Sequence, residues 1–207
     1  MITLGFVAIW FGWMLAAGSP GPATMGIAGT AMNEGRKSGL AFALGILAGS
    51  AFWGISAALG LSAIMLANAW LFEIVRYFGA AYLGWLAFKA LRRAFSTVGT
   101  TVGTPFKGSF SNLFVKGAMI HLTNPKAVLG WGSIYAIISP ADATPKVLFG
   151  YFSLLYAGSI IMFIGYAILF STAQIVQVYS RASRWFDFAF AGFFGVASFK
   201  ILTARLS

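Results

Sequence analysis

Polar residues in this chain fall in narrow bands separated by long apolar stretches. No charged residue occurs in 1–33, 38–72 or 147–180. A hydrocarbon layer about 30 Å thick is crossed by roughly 20 apolar residues in helix, so each stretch is long enough to cross. Backbone groups in lipid must be satisfied within their own element, which leaves helices or closed barrels. Runs such as Ile160–Phe170 lack the alternation of barrel strands, so the pattern predicts helices. It places spans at 2–18 continuing as 23–33, then 39–66, 71–91, 111–138, 147–173 and 184–204. The third and sixth have the shortest charge-free centres, Tyr77–Phe88 and Phe188–Phe199, and need Lys or Arg ends that reach back to the interface.

Composition agrees with this pattern. Hydrophobic residues make up 59% of 207 and charged residues 9%, with a mean hydropathy of +0.85. A soluble domain carries roughly a quarter charged residues. The opening Met1-Ile2-Thr3-Leu4 lacks the basic start of a signal peptide and is read as an uncleaved first span. Without cysteine there is no disulfide and no cysteine-bound metal, and no cofactor is implied. The net charge of +10 is spread beside the spans, which suits anionic lipid headgroups and not nucleic acid.

Basic residues also set the expected orientation. The links after spans one, three and five carry eight (Arg36, Lys37, Lys89, Arg92, Arg93, Lys107, Arg181, Arg184), against four on the other side (Arg76, Lys146, Lys200, Arg205). Both termini are therefore expected outside, with a cytoplasmic connector over 96–110. Its Ser-, Thr- and Gly-rich stretch Ser96–Thr104 reads as flexible.

Two breaks carry the functional reading. Ser19-Pro20-Gly21-Pro22 interrupts the first span, and Thr123-Asn124-Pro125-Lys126 interrupts the fourth. Proline removes a backbone donor and clashes with the preceding turn. Helix restarting at Pro22 should leave the amides of Ala23, Thr24 and Met25 without helical partners, and Asn124 is suited to cap the restart at Pro125. Such half-helix starts carry partial positive charge that suits a carboxylate, and Lys126 adds a full charge that needs a partner at that depth. Each break lies in the first span of a three-span half. Three is odd, so the second half must be inverted, and broken helices at matching positions of inverted repeats point to a transporter's site. The endings Gly84–Leu91 and Gly195–Leu202 also match at Gly, Phe, Lys and Leu with an offset of 111.

The expected architecture is an all-α integral membrane protein: one domain over 1–207, with repeats at 1–95 and 111–207 and broken first and fourth helices. The candidate substrate site comprises Ser19, Pro20, Gly21, Pro22, Ala23, Thr24, Asn124, Pro125 and Lys126, with Ser50 and Trp53 contacting the rest of the solute. Trp53 and Trp131 could line a cavity or serve as anchors. His121 is a candidate proton relay, though donation of a hydrogen bond suits its place beside the broken helix better. Gly45-Ile46-Leu47-Ala48-Gly49 is a close-packing face. Glu34, Glu73, Asp142 and Asp187 all fall at or near span ends, so no interior carboxylate is expected. Alternatives are a passive channel, a scaffold subunit or an intramembrane serine hydrolase. Metal and paired-carboxylate motifs are lacking, so an enzyme is not expected.

Ser19–Thr24, Glu34–Leu40 and Gly45–Gly49 together resemble the N-terminal half of the LysE/RhtB superfamily of bacterial amino-acid exporters. Gly79–Leu86 is similar to that family's third span, and Asn124-Pro125-Lys126-Ala127 to its fourth-span motif, closer to the homoserine/threonine branch. The resemblance implies a six-span exporter of the bacterial inner membrane, an amino-acid-like substrate, proton or cation exchange and a homodimer. Many members have an aspartate where this chain has Ser50. The basic-amino-acid branch has an acidic residue where this chain reads Val128-Leu129-Gly130-Trp131. Both departures favour a neutral substrate bearing a carboxylate.

Overall fold

The computed structural model describes residues 4–67, 69–96, 105–139 and 143–203, which form helices and their links with no strand among them. Their order is α1 (Leu4–Gly18), α2 (Pro22–Ala67), α3 (Ala69–Phe95), α4 (Phe110–Leu122), α5 (Pro125–Ile138), α6 (Pro145–Leu169) and α7 (Ala173–Thr203). Most of the expected connector, 97–104, lies outside the described residues, as does Asp142. So do the side chains of Glu73, Arg76, Trp70 and Lys200.

Both proline breaks are real. Helix α1 stops at Gly18 and α2 starts at Pro22, while α4 stops at Leu122 and α5 starts at Pro125. The expected link between spans one and two shrinks to a single residue. Gly35 alone is non-helical within α2, at φ 83 and ψ 172, a region favouring glycine. The chain reverses there. Residues 31 and 39 of a straight helix would stand about 12 Å apart, yet a Cβ on Gly39 would come within 2.6 Å of Ala31 Cβ. The first part of α2 therefore continues α1, and the second runs back beside it. Helix α7 begins at Ala173, well ahead of the expected 184, because its first turns carry Tyr179 onto Phe170, Ala28 and Ala31.

Small residues set the closest crossing. A Cβ on Gly45 would lie 1.9 Å from the Phe114 carbonyl oxygen, and one on Gly117 2.2 Å from that of Phe42. Gly49 abuts His121 in the same way, so the Gly45–Gly49 face does pack α2 against α4. Helix α6 closes this group through Tyr156, whose hydroxyl donates to the Leu47 carbonyl, and α1 joins through Trp10, whose indole donates to Leu154 O. Phe42, Ile46, Leu113 and Phe163 form the shared core. At the mouth of the connector, Phe106 stacks on Phe42 and its amide donates to Thr30 Oγ1.

Helices α3 and α7 pair separately and antiparallel. Ser198 Oγ donates to Ala80 O at 2.8 Å, Arg93 meets Asp187, and Leu83, Ala90, Phe190 and Phe194 pack between. The two matched endings face each other: Gly84 lies on Ser198 and Gly195 on Ala87. Shifting both pairs by 111 exchanges them, so this contact has the reciprocity of a two-fold axis.

The outer surface is apolar. Phe11, Phe52, Leu59, Phe88, Ile161 and Phe199 are each more than half exposed. A water-facing monomer does not display apolar residues around its perimeter on this scale. Pro22–Gly60 and Pro145–Leu169 pass a length and hydropathy test for crossing a membrane, the first of them folded at Gly35.

Candidate functional site

The first break is built from its own side chains. Thr24 Oγ1 accepts from Gly21 N–H at 3.1 Å and lies 3.1 Å from Ser19 O and 3.2 Å from Gly21 O, the acceptors for its proton. Ser19 Oγ donates to Ala16 O at 2.9 Å. Of the three amides expected to be free, that of Met25 bonds Gly21 O at 2.9 Å, which corrects the expectation for that residue. At the second break Asn124 caps as anticipated: its Oδ1 accepts from Lys126 N–H at 3.0 Å, and its carbonyl accepts from Ala127 and Val128. The amides that open α5 are thus already occupied. The positive charge there is presented by a side chain.

That side chain joins the two breaks. Lys126 Nζ donates to Ser19 O at 2.8 Å and to Ser19 Oγ, across 107 residues of sequence. Its stem lies along Gly21, where a Cβ would stand 3.6 Å from both Cδ and Nζ. Ser19, Thr24 and Asn124 are buried around it. The last carbonyls of α1 form the negative end of a helix, which favours the ammonium group. An ammonium group has three protons and Ser19 takes two, so one remains to be directed elsewhere.

Beside this junction lies a cavity of about 70 Å³. Gly21, Ala23, Thr24, Ser50, His121, Asn124 and Lys126 line it, whereas Ser19, Pro20, Pro22 and Pro125 shape the breaks from behind. Trp53 is also behind. Its indole donates to Leu122 O at 3.3 Å, satisfying one of the carbonyls that the end of α4 leaves open, so it braces the break without lining the cavity.

Trp131, left open between wall and anchor, is a wall residue. Its indole donates to Ser50 Oγ at 3.2 Å, and its ring lies 4.4 Å from that of Trp13, whose own indole donates to Ser159 Oγ at 2.9 Å. Sequence reasoning missed Trp13, Ser133 and Ser159, since only the tertiary fold carries them to the breaks. His121 lines the same space with its ring edge-on to Phe163, and its Nδ1 is enclosed without a hydrogen-bond partner.

One carboxylate near a span end is more deeply buried than that place alone suggests. Asp187, assigned to a span end, is only 2% exposed and accepts from Arg93 through Nε at 3.0 Å and Nη2 at 2.8 Å. The signal was present in the sequence. Asp187, Phe190, Phe194 and Ser198 recur at helical spacing, so the carboxylate shares the inward stripe of α7. Glu34, by contrast, makes a loose pair with the exposed Lys107 at 3.6 Å. Among the described residues no group of acidic or histidine side chains could hold a metal ion.

The chain is similar in sequence to known membrane transporters. The chain is 30% identical over 181 residues to the threonine efflux protein of Escherichia coli (strain K12), covering 86% of this chain and 87% of that one. It is 33% identical over 125 residues to the leucine efflux protein of Enterobacter sp. (strain 638), covering 60% and 59%. An uncharacterized membrane protein of Bacillus subtilis (strain 168), YrhP, is 31% identical over 128 residues, 58% of this chain and 59% of that one. No solved structure matches. The sequence model of the LysE type translocators matches residues 14–205, and the chain belongs to that family of membrane transporters.

Proposed function

We propose that this protein exports a neutral, carboxylate-bearing amino acid across the bacterial inner membrane by alternating access, with proton exchange as the driving reaction. The observation that carries the reading is the junction of Lys126 with Ser19. Two broken helices from opposite halves of the chain meet there beside a small cavity. The third proton of Lys126, with the amides of Ala23 and Thr24, is the binding group for the substrate carboxylate. Ser50, Trp131 and His121 meet the remainder.

A neutral substrate follows from the lining, which among the described residues contains no carboxylate to offset a cationic side chain. The efflux relatives, named for threonine and for leucine, point to the same class. Six spans in two inverted repeats are supported by the paired breaks and by the reciprocal contacts of Gly84 and Gly195. Basic residues favour both termini outside, with anionic lipid at the cytoplasmic face. The exposed apolar surface leaves room for a homodimer.

Saturable uptake of labelled neutral amino acids into inverted vesicles, enhanced by a pH gradient, tests the proposal. Uptake that rises linearly with concentration and ignores the gradient would make the protein a passive pore instead.

A further inference from the structure

The walls of the cavity differ in chemistry according to the helix that supplies them. Thr24, Ser50, His121, Lys126, Ser133 and Ser159 come from α2, α4, α5 and α6, and Asn124 from the α4–α5 break. Among the described residues α3 and α7 contribute Leu83, Leu86, Phe193 and Phe194, all apolar, and Trp13, Ile134, Ile137 and Phe163 extend the apolar lining from α1, α5 and α6. A zwitterion held by its carboxylate and ammonium groups on the polar side chains turns its own side chain toward the apolar lining, to which α3 and α7 present no polar group among the described residues. Burying a polar group there without a partner would cost too much.

Within the apolar wall Phe193 occupies a special place. Its ring reaches from α7 to α1 and rests on Gly12, where a Cβ would stand 1.8 Å from Cζ and 2.0 Å from Cε2. Only the missing side chain of Gly12 admits the ring. Phe193 is half-buried, unlike its neighbour Phe194. It therefore forms the limit of the cavity between α1 and α7, with its outer edge beyond the cavity. The wall it belongs to is held as a unit by Ser198 on Ala80 and Arg93 on Asp187, so the ring has a fixed mount.

The size of the space fits this role. A water needs about 10–15 Å³ of such volume, so 70 Å³ admits about five to seven heavy atoms. The invariant part of an amino acid uses five. Resting on the functional reading above, we propose that Phe193, seated on Gly12, is the specificity-determining residue for the substrate side chain. It holds the transporter to small side chains.

Counterflow in proteoliposomes with labelled alanine, leucine and phenylalanine tests this. Phe193→Ala should raise the kcat/KM ratio of leucine to alanine at least ten-fold, the scale on which apolar pockets discriminate side chains, while saturable alanine counterflow persists. Phe193→Leu should give a smaller change in the same direction and serves if the alanine variant fails to fold. Ratios within two-fold of wild type in the folded variants would overturn the assignment. If Lys126→Met abolishes counterflow at the same time, the carboxylate site stands and only the role of Phe193 falls. Wild-type protein without saturable counterflow of any of the three would defeat both.

Discussion

Replacing Asp187 with alanine should loosen the α3–α7 pair without emptying the cavity. The carboxylate is nearly inaccessible and takes two donors from Arg93, whose side chain is 36% exposed. Breaking a fully buried pair costs about 3–5 kcal/mol, but a partly exposed guanidinium recovers some hydration, so about 2 kcal/mol is expected. For a chain of this length that corresponds to a melting point lower by roughly 4–8 °C. The double variant Arg93→Met/Asp187→Leu removes both charges together and should unfold within about 1 kcal/mol of wild type, because a desolvated ion pair is often matched by apolar residues of similar volume. Thermal unfolding of the detergent-solubilised protein reads both numbers, and counterflow reads the consequence. If the pair only mounts the apolar wall, the stable double variant transports. A double variant as unstable as Asp187→Ala refutes the energetic argument, and one that is stable but inactive shows that the pair does more than mount the apolar wall.

Two further substitutions probe the frame. Gly117→Ala drives a methyl group into the Phe42 carbonyl at the α2–α4 crossing, and should destabilise by about 1–3 kcal/mol in the same unfolding assay. Trp131→Phe and Ser50→Ala each leave a buried partner unpaired and should cost about 1–3 kcal/mol singly. Their combination should cost less than the sum, which a double-mutant cycle measures.

What the sequence discloses and what it conceals divide along the range of the forces involved. The breaks were legible because proline acts on its own turn, and Asn124 caps the helix that it precedes. The Gly45–Gly49 face was legible because close packing needs small residues at helical spacing. That Lys126 must have a partner followed from the cost of a bare charge. That the partner is Ser19 did not, because a bond across 107 residues exists only in the assembled bundle. The bond of Trp53 to the Leu122 carbonyl was hidden for the same reason, since its sequence position suits either face of α2. The burial of Asp187 was legible in its helical spacing with Phe190 and Phe194, whereas its pairing with Arg93 was not. The reversal at Gly35 was marked by the charged band Glu34–Lys37 between two apolar stretches; that a single glycine makes the turn was not legible.

A carboxylate held where two interrupted helices meet is the claim on which the rest depends, and Lys126→Met tests it most directly. Methionine keeps the apolar stem along Gly21 and removes the charge, while Ser19 retains Ala16 and Thr24 as partners. The variant should therefore fold. Losing a buried, hydrogen-bonded charge from the substrate's carboxylate costs about 2–5 kcal/mol, so counterflow kcat/KM should fall at least 30-fold. Counterflow at the wild-type rate and half-saturation in that variant would contradict the account.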